Sequence, residues 1–183
     1  MTRQLLLLVV VSTLFCIPPS AAYQQLTTKT ADTLLPVKKG PQLKPKSLTA
    51  ETLIASGTMA RSKLLNQNQL AALSLKTMDK GFAPTLRYHL IDTLYKDNSY
   101  YILLLGQWYD YENKAWVASY AAPHQLIDFK QVFYDNAEGF LSVETEIKNN
   151  LLTITTFNEY EEGATKKRVE KLKFGTQFKL HKL

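Results

Sequence analysis

From Thr85 to the C-terminus the chain is a train of short apolar and aromatic segments separated by polar turn clusters, and this rhythm constrains the fold more than any other feature. The segments are Leu86 to Tyr95, Tyr100 to Tyr109, Ala115 to Ala121, Gln125 to Tyr134, Phe140 to Ile147, Leu151 to Glu159 and Lys167 to Leu180. Between them stand Asp97-Asn98-Ser99, Asp110 to Lys114, Pro123-His124, Asp135 to Gly139, Lys148-Asn149-Asn150 and Glu161-Glu162-Gly163. Such residues favour tight reversals over continued pairing, so each cluster ends one strand and begins the next. The pattern predicts a mainly β domain, an antiparallel meander of about seven strands forming a curled sheet or small sandwich. One or two short helices are expected before it.

Alternation within the segments assigns faces. Leu141, Val143, Thr145 and Ile147 share one face of their strand, while Ser142, Glu144 and Glu146 share the other. Leu172, Phe174, Thr176, Phe178 and Leu180 likewise oppose Lys171, Lys173, Gln177 and Lys179, so both strands should have one wet face. Tyr101 to Leu105 is apolar on both faces and reads as a central strand, with Gly106 marking a bulge or a close backbone approach. An outer-membrane barrel fits less well, because the residues ahead of the train supply no strands and several outward faces carry charge.

Upstream, the chain changes character. Residues 1–22 read as an export signal, with Arg3 at the positive start, apolar runs from Leu5 to Val11 and Leu14 to Ile17, then Pro18-Pro19. Ser20, Ala21 and Ala22 place small side chains where a peptidase would cut before Tyr23. The apolar run is shorter than the about 20 residues of a bilayer span, so no transmembrane segment is expected after cleavage. Cys16 would be the acylated residue of a lipoprotein signal, but Phe15 stands where that processing wants a small side chain. Cys16 is also the chain's single cysteine, so a chain starting at Tyr23 has no disulfide, no thiolate nucleophile and no cysteine metal ligand. No Asn-x-Ser/Thr acceptor occurs either, and together these features indicate a secreted, periplasmic or cell-surface bacterial protein.

Residues 23–60 read as a basic, flexible arm, because Pro36 to Lys46 holds three prolines and four lysines in eleven residues. This arm serves as a solvated spacer or, alternatively, as an electrostatic tether to an anionic surface. Near the end of the arm Thr49 to Ala55 suits a turn or two of helix, and residues 61–84 read as a short helical segment in which Gln67 to Thr77 suits a longer helix ended by Gly81 and Pro84. Leu70, Leu73 and Met78 then form a stripe for packing on a sheet. Residues 85–183 are the β domain. Tyr23 to Pro84 carries nine basic residues against three acidic, and Thr85 to Leu183 twelve against thirteen, which assigns the net positive charge to the arm.

Catalytic constellations are absent from the sequence. His89, His124 and His181 have no ligand spacing and read as surface or edge residues. No nucleophile elbow, phosphate loop or dinucleotide fingerprint occurs, and neither a metal nor a cofactor is expected. Asp128, Asp135 and Glu138 with Asn136 and Gly139 gather oxygen donors, but their spacing fits hairpin chemistry better than a calcium loop. Glu144 and Glu146 lie two apart on one strand face and cannot straddle a glycosidic bond.

Aromatic richness remains. Nine of the ten tyrosines follow Thr85. Most such rings are expected in the core, whereas Tyr109, Tyr111 and Trp116, nearest a turn, are the candidate ligand-binding residues. The run Tyr101-Ile102-Leu103-Leu104-Leu105, then Gln125-Leu126-Ile127-Asp128, then Tyr134-Asp135-Asn136-Ala137-Glu138-Gly139 resembles small exported β-rich proteins of unknown function from Gram-negative bacteria. The resemblance covers residues 85–180, implies export and a β fold, and carries over no catalytic residue.

The expected function is therefore a non-enzymatic binding or interaction protein that meets a protein or glycan partner at the cell envelope. Nucleic acid is not expected as a partner, since no aromatic is interleaved with the arm's basic residues. The alternative is a small hydrolase using carboxylates of the β domain such as Asp128 and Glu138, which requires a pocket in which one of them is buried.

Overall fold

The turn clusters reverse the chain as the sequence pattern requires, and the strands between them pair with their neighbours into one antiparallel sheet. The computed structural model describes residues 40–136, 138–159 and 165–183; the expected export signal, residues 23–39 of the arm and the Glu161-Glu162-Gly163 turn lie outside the described residues. The long strands are β3 (Arg87–Lys96), β4 (Tyr100–Trp108), β5 (Glu112–Ala121), β6 (Gln125–Asn136), β7 (Leu141–Lys148), β8 (Leu151–Asn158) and β9 (Lys166–Phe174). Three short strands join them: β1 (Lys46–Leu48), β2 (Lys63–Leu64) and β10 (Leu180–Lys182). The order across the sheet is β10-β9-β8-β7-β6-β5-β4-β3-β2, with β1 added along β7, and the sheet is not closed.

The sheet curls because four register shifts bend it. β3 is irregular between Leu90 and Asp92 and between Thr93 and Tyr95. β6 is irregular where Ala115 and Trp116 oppose Phe133 and Gln131, and again opposite Ser119 and Tyr120. Each extra residue increases local twist and turns the strand. Curling separates β6 from β7 after only two paired positions, Tyr134↔Val143 and Asp135↔Ser142. β1 takes the vacated edge, with Lys46, Ser47 and Leu48 opposite Ile147, Glu146 and Thr145. Thr145 Oγ1 donates to the carbonyl of Val132, the extra residue of β6, at 2.6 Å and ties the two lips of the split together.

Two apolar cores result. Inside the curl, Ile102, Leu104, Val117 and Val132 meet Ile147, Leu152, Ile154, Leu172 and Phe174. On the outer face of β3, β4 and β5, Tyr88, Leu103, Leu105, Trp116, Ala118 and Tyr120 are covered by Leu65, Leu70, Leu73, Leu75 and Met78. β4 and β5 are thus buried on both faces, as the run Tyr101 to Leu105 predicts. Gly106 is a site of close approach, since a Cβ there would lie 2.6 Å from Ile91 Cδ1 and 2.8 Å from Met59 Cε.

A π turn (Glu51–Ala55) and the short helix α1 (Thr58–Arg61) pack on the inner core through Leu53 and Met59, while α2 (Gln67–Ala72) and α3 (Leu75–Met78) form the layer over the outer face. Asn66 and Gln69 form a reciprocal capping box at the start of α2, with both bonds at 3.0 Å. The helix expected over Gln67 to Thr77 is two helices, because Ser74 sits at φ 56° between them.

Two further sequence expectations are corrected. Residues 40–60, read as the end of a flexible arm, are folded into the domain: Leu43, Leu48, Leu53 and Met59 are all buried in the inner core. They carry no aromatic, and their two lysines, Lys44 and Lys46, both pair with Asp92 on β3 while the leucines point inward. The last expected strand, Lys167 to Leu180, is two strands. The chain reverses at Gly175, whose N–H donates to the carbonyl of Lys179 at 2.9 Å, and β10 pairs back onto β9.

Candidate functional site

The β4–β5 turn carries the most exposed aromatic pair among the described residues. Tyr109 is 45% and Tyr111 67% exposed, and their rings meet edge-to-face with centroids 5.9 Å apart. Pairing of Glu112 with Asn136 sets the β6–β7 turn beside this tip, and that turn ends at Phe140, 44% exposed. Neighbouring hairpins thereby raise three large rings at one end of the sheet. Phe140 was missed by sequence reasoning because it opens an apolar segment and reads as a first core position.

Trp116 does not belong with them. It is 1% exposed and packed against the helix layer. Five residues from Tyr111 along a strand is about 16 Å, and its parity on β5 turns it toward α2 and α3. Nearness to a turn was a poor guide to exposure here, since a cover supplied by residues 65–78 buries that face.

Beneath the tip runs a polar row that no spacing in the sequence announces. Tyr88, Gln107, Lys114 and Tyr134 occupy successive paired positions across β3, β4, β5 and β6, so their side chains share the helix-side face. Asp79, just after α3 and 4% exposed, closes over the row. Its Oδ2 accepts from the Tyr88 hydroxyl at 2.7 Å and its Oδ1 from the Gly81 N–H at 3.0 Å. Lys114 Nζ lies 3.8 Å from Asp79 and 2.9 Å from Glu112, and Glu112 also accepts from the Tyr134 hydroxyl at 2.9 Å. Burial, together with the bond to Asp79, holds the Tyr88 hydroxyl protonated well above the usual phenol range. The Lys114 ammonium, against a smaller cost of burial, holds Glu112 below the usual carboxylate range. Gln107 Oε1 and Asn136 Oδ1 are buried without a partner at the same end. The row fixes the base of the hairpin that presents Tyr109 and Tyr111.

The proposed catalytic carboxylates are not brought together. Asp128 engages both oxygens with backbone, accepting from Phe129 N–H and from Leu180 N–H at 2.8 Å each, and so fastens β10 to β6. Glu138 sits in the β6–β7 turn, about 25 Å further along the strand direction. No group of three or more His, Asp or Glu side chains among the described residues is placed to hold a metal ion. His89, expected at the surface, is 3% exposed; its Nδ1 lies 3.3 Å from the Ser62 carbonyl, and burial holds its pKa below the usual value. His124 does lie at the surface, where its Nδ1 meets the Tyr101 hydroxyl, which also donates to the Pro123 carbonyl at 2.7 Å.

The chain matches no protein-family model, no curated protein and no solved structure. Function is therefore argued from the site. The larger surface depressions, of about 390 and 470 Å³, are lined by residues of β7 to β10 and by Gly40 to Gln42 with Tyr95, Tyr100 and Phe178. Neither contains Tyr109, Tyr111 or Phe140. The exposed rings of Tyr109 and Tyr111 stand on a hairpin turn outside both depressions.

Proposed function

We propose that this is a non-enzymatic, exported binding protein that docks a partner through the aromatic tip formed by Tyr109 and Tyr111, with Phe140 beside it. The observation that supports this reading is the exposure of two mutually packed tyrosines at 45% and 67% on a hairpin. Large rings with two side-chain torsions lose little entropy on docking, which is why such residues dominate binding energy. The Asp79–Lys114–Glu112 row beneath, buried at its Asp79 end, supports preorganisation of the ridge. A ridge favours a partner that supplies the concave surface, and a folded protein does so more readily than a single glycan chain.

The test is cross-linking on intact producing cells followed by capture and mass spectrometry of bound proteins and glycans, for wild type and for Tyr109→Ser/Tyr111→Ser. One stoichiometric protein is expected with wild type, and its recovery should fall about tenfold or more in the double variant. Both residues are exposed, so the melting temperature should not move. Recovery of the protein alone, or equal capture by both forms, overturns the reading; a stoichiometric glycan would replace the protein partner.

A further inference from the structure

Charge on the β domain is balanced in sum and segregated in space. Residues 85–164 carry five basic side chains against twelve acidic, whereas residues 165–183 carry seven against one. The seven cations of β9, β10 and their connection are all exposed. The single carboxylate, Glu170, is neutralised by Lys130 at 2.7 Å.

These cations run along one edge of the sheet but on both of its faces, with Lys166, Arg168 and Lys182 on the face of Leu172 and Phe174. Lys167, Val169, Lys171 and Lys173 alternate onto the outer face of β9, opposite Phe157, Thr155, Thr153 and Leu151 of β8. β10 pairs only with Leu172 to Phe174, so on the side of β9 away from β8 no strand among the described residues pairs with positions 166–170. Leu183 N–H donates to the Lys171 carbonyl at 3.0 Å, so the chain end lies along the same edge. Val169 is 49% and Leu183 71% exposed, two isolated aliphatic side chains set among lysines. Lys148, Lys173, Leu151 and Leu183 line a shallow depression of about 390 Å³ there, and Glu146 lines it as well. Gly40 also arrives at this place, packed so that a Cβ would lie 2.6 Å from the Phe174 carbonyl.

We propose that the β9–β10 edge is a docking surface for the headgroups of an anionic phospholipid bilayer, with Val169 and Leu183 seated between them. Charge complementarity selects an anionic partner, and a planar one needs no groove. The two aliphatic side chains separate a bilayer from a soluble polyanion, which offers them nothing to enter. Glu144 and Glu146 on β7 bound the surface. They stand two strands away, about 10 Å, which is about one screening length in physiological salt, so the contact is edge-on. This surface is distinct from the aromatic tip and does not depend on it.

Flotation with vesicles of phosphatidylcholine alone, or with about one-third phosphatidylglycerol, tests the proposal on the protein as purified from producing cells at about 0.15 M salt. The protein is expected to float with the anionic vesicles and not with the neutral ones. Lys171→Gln/Lys173→Gln/Lys182→Gln should weaken that binding about a hundredfold, at roughly fivefold per cation. The same charge change on the helix side, Lys63→Gln/Lys76→Gln/Lys80→Gln, should weaken it less than about fivefold. Val169→Ser/Leu183→Ser should weaken vesicle binding while leaving retention on a heparin column unchanged. Failure to float with anionic vesicles, equal losses in the two triple variants, or no effect of the aliphatic pair would overturn the proposal. Heparin retention without vesicle binding would assign the edge to a soluble polyanion instead.

Discussion

Asp79 is the residue whose removal should cost the most per atom changed. Its carboxylate is buried with the Tyr88 hydroxyl, the Gly81 N–H and the Lys114 ammonium around it. Deleting it strands the buried Tyr88 hydroxyl, removes the acceptor of the Gly81 N–H and leaves Lys114 with Glu112 alone. Asp79→Ala is therefore expected to lower stability by about 2–4 kcal/mol, while Tyr88→Phe, which removes only one donor, should cost about 1 kcal/mol. Urea unfolding of both variants measures this, and an Asp79→Ala cost no larger than that of Tyr88→Phe would show that the row is not a coupled network. Nothing in the local sequence announces the row. Asp79 follows a four-residue helix, Tyr88 opens β3, and Lys114 stands in what reads as a turn. Their convergence depends on cross-strand register. Gly106, by contrast, was legible as a close approach, since a glycine inside an apolar central run has few other reasons to be there.

At the scale of elements, β1 carries the clearest test. It comes from a segment whose composition argues for disorder, yet Leu48 is fully buried and the strand pairs with β7 some hundred residues later. Leu48→Ala should lower stability by about 3 kcal/mol by the apolar contact and cavity terms. A chain beginning at residue 61 should fail to give a cooperative urea transition, because the sheet's split would stand open. A truncated chain that melts as the intact one does would return residues 40–60 to the role of a spacer. The seven long strands could be read beforehand because alternation and turn chemistry are local signals. β1, β2 and β10 could not: two or three residues hold too little pattern, and each exists because an edge elsewhere in the sheet is available to it.

Across the whole molecule, acid should destabilise the fold in two separate steps. Burial keeps the pKa of His89 below its usual 6.5, so as pH falls below that value the unfolded chain takes the proton first. Stability conferred by neutral His89 is full above 6.5, is lost as pH falls toward its lower folded value, and then levels off. Three carboxylates act in a lower window. Burial pushes Asp92 up, but the Lys46 and Lys44 ammoniums outweigh it and leave it below the usual range. Lys114 holds Glu112 down, and Lys130 holds Glu170 down. Their contributions are full above the usual carboxylate values and fade as pH falls through the lowered ones. Asp135, raised by burial, has the opposite sign and softens the second step. Melting temperatures from pH 8 to pH 3 should show both steps in wild type and only the lower one in His89→Gln. Persistence of the upper step in the variant would remove His89 as its origin.

The amino-acid sequence alone determined the strand train, its antiparallel order and the two-sided burial of β4, because period and turn chemistry act over a few residues and survive in any packing. It also pointed to Tyr109 and Tyr111, which are exposed in the β4–β5 turn. Only the tertiary structure decided that Trp116 and His89 are buried, that Lys46 pairs with Asp92, and that Asp79 meets Lys114. It also gathered cations balanced in the domain's sum onto one edge. Each of these is set by which segments the curled sheet brings opposite one another, a long-range matter of register and cover that no local pattern encodes.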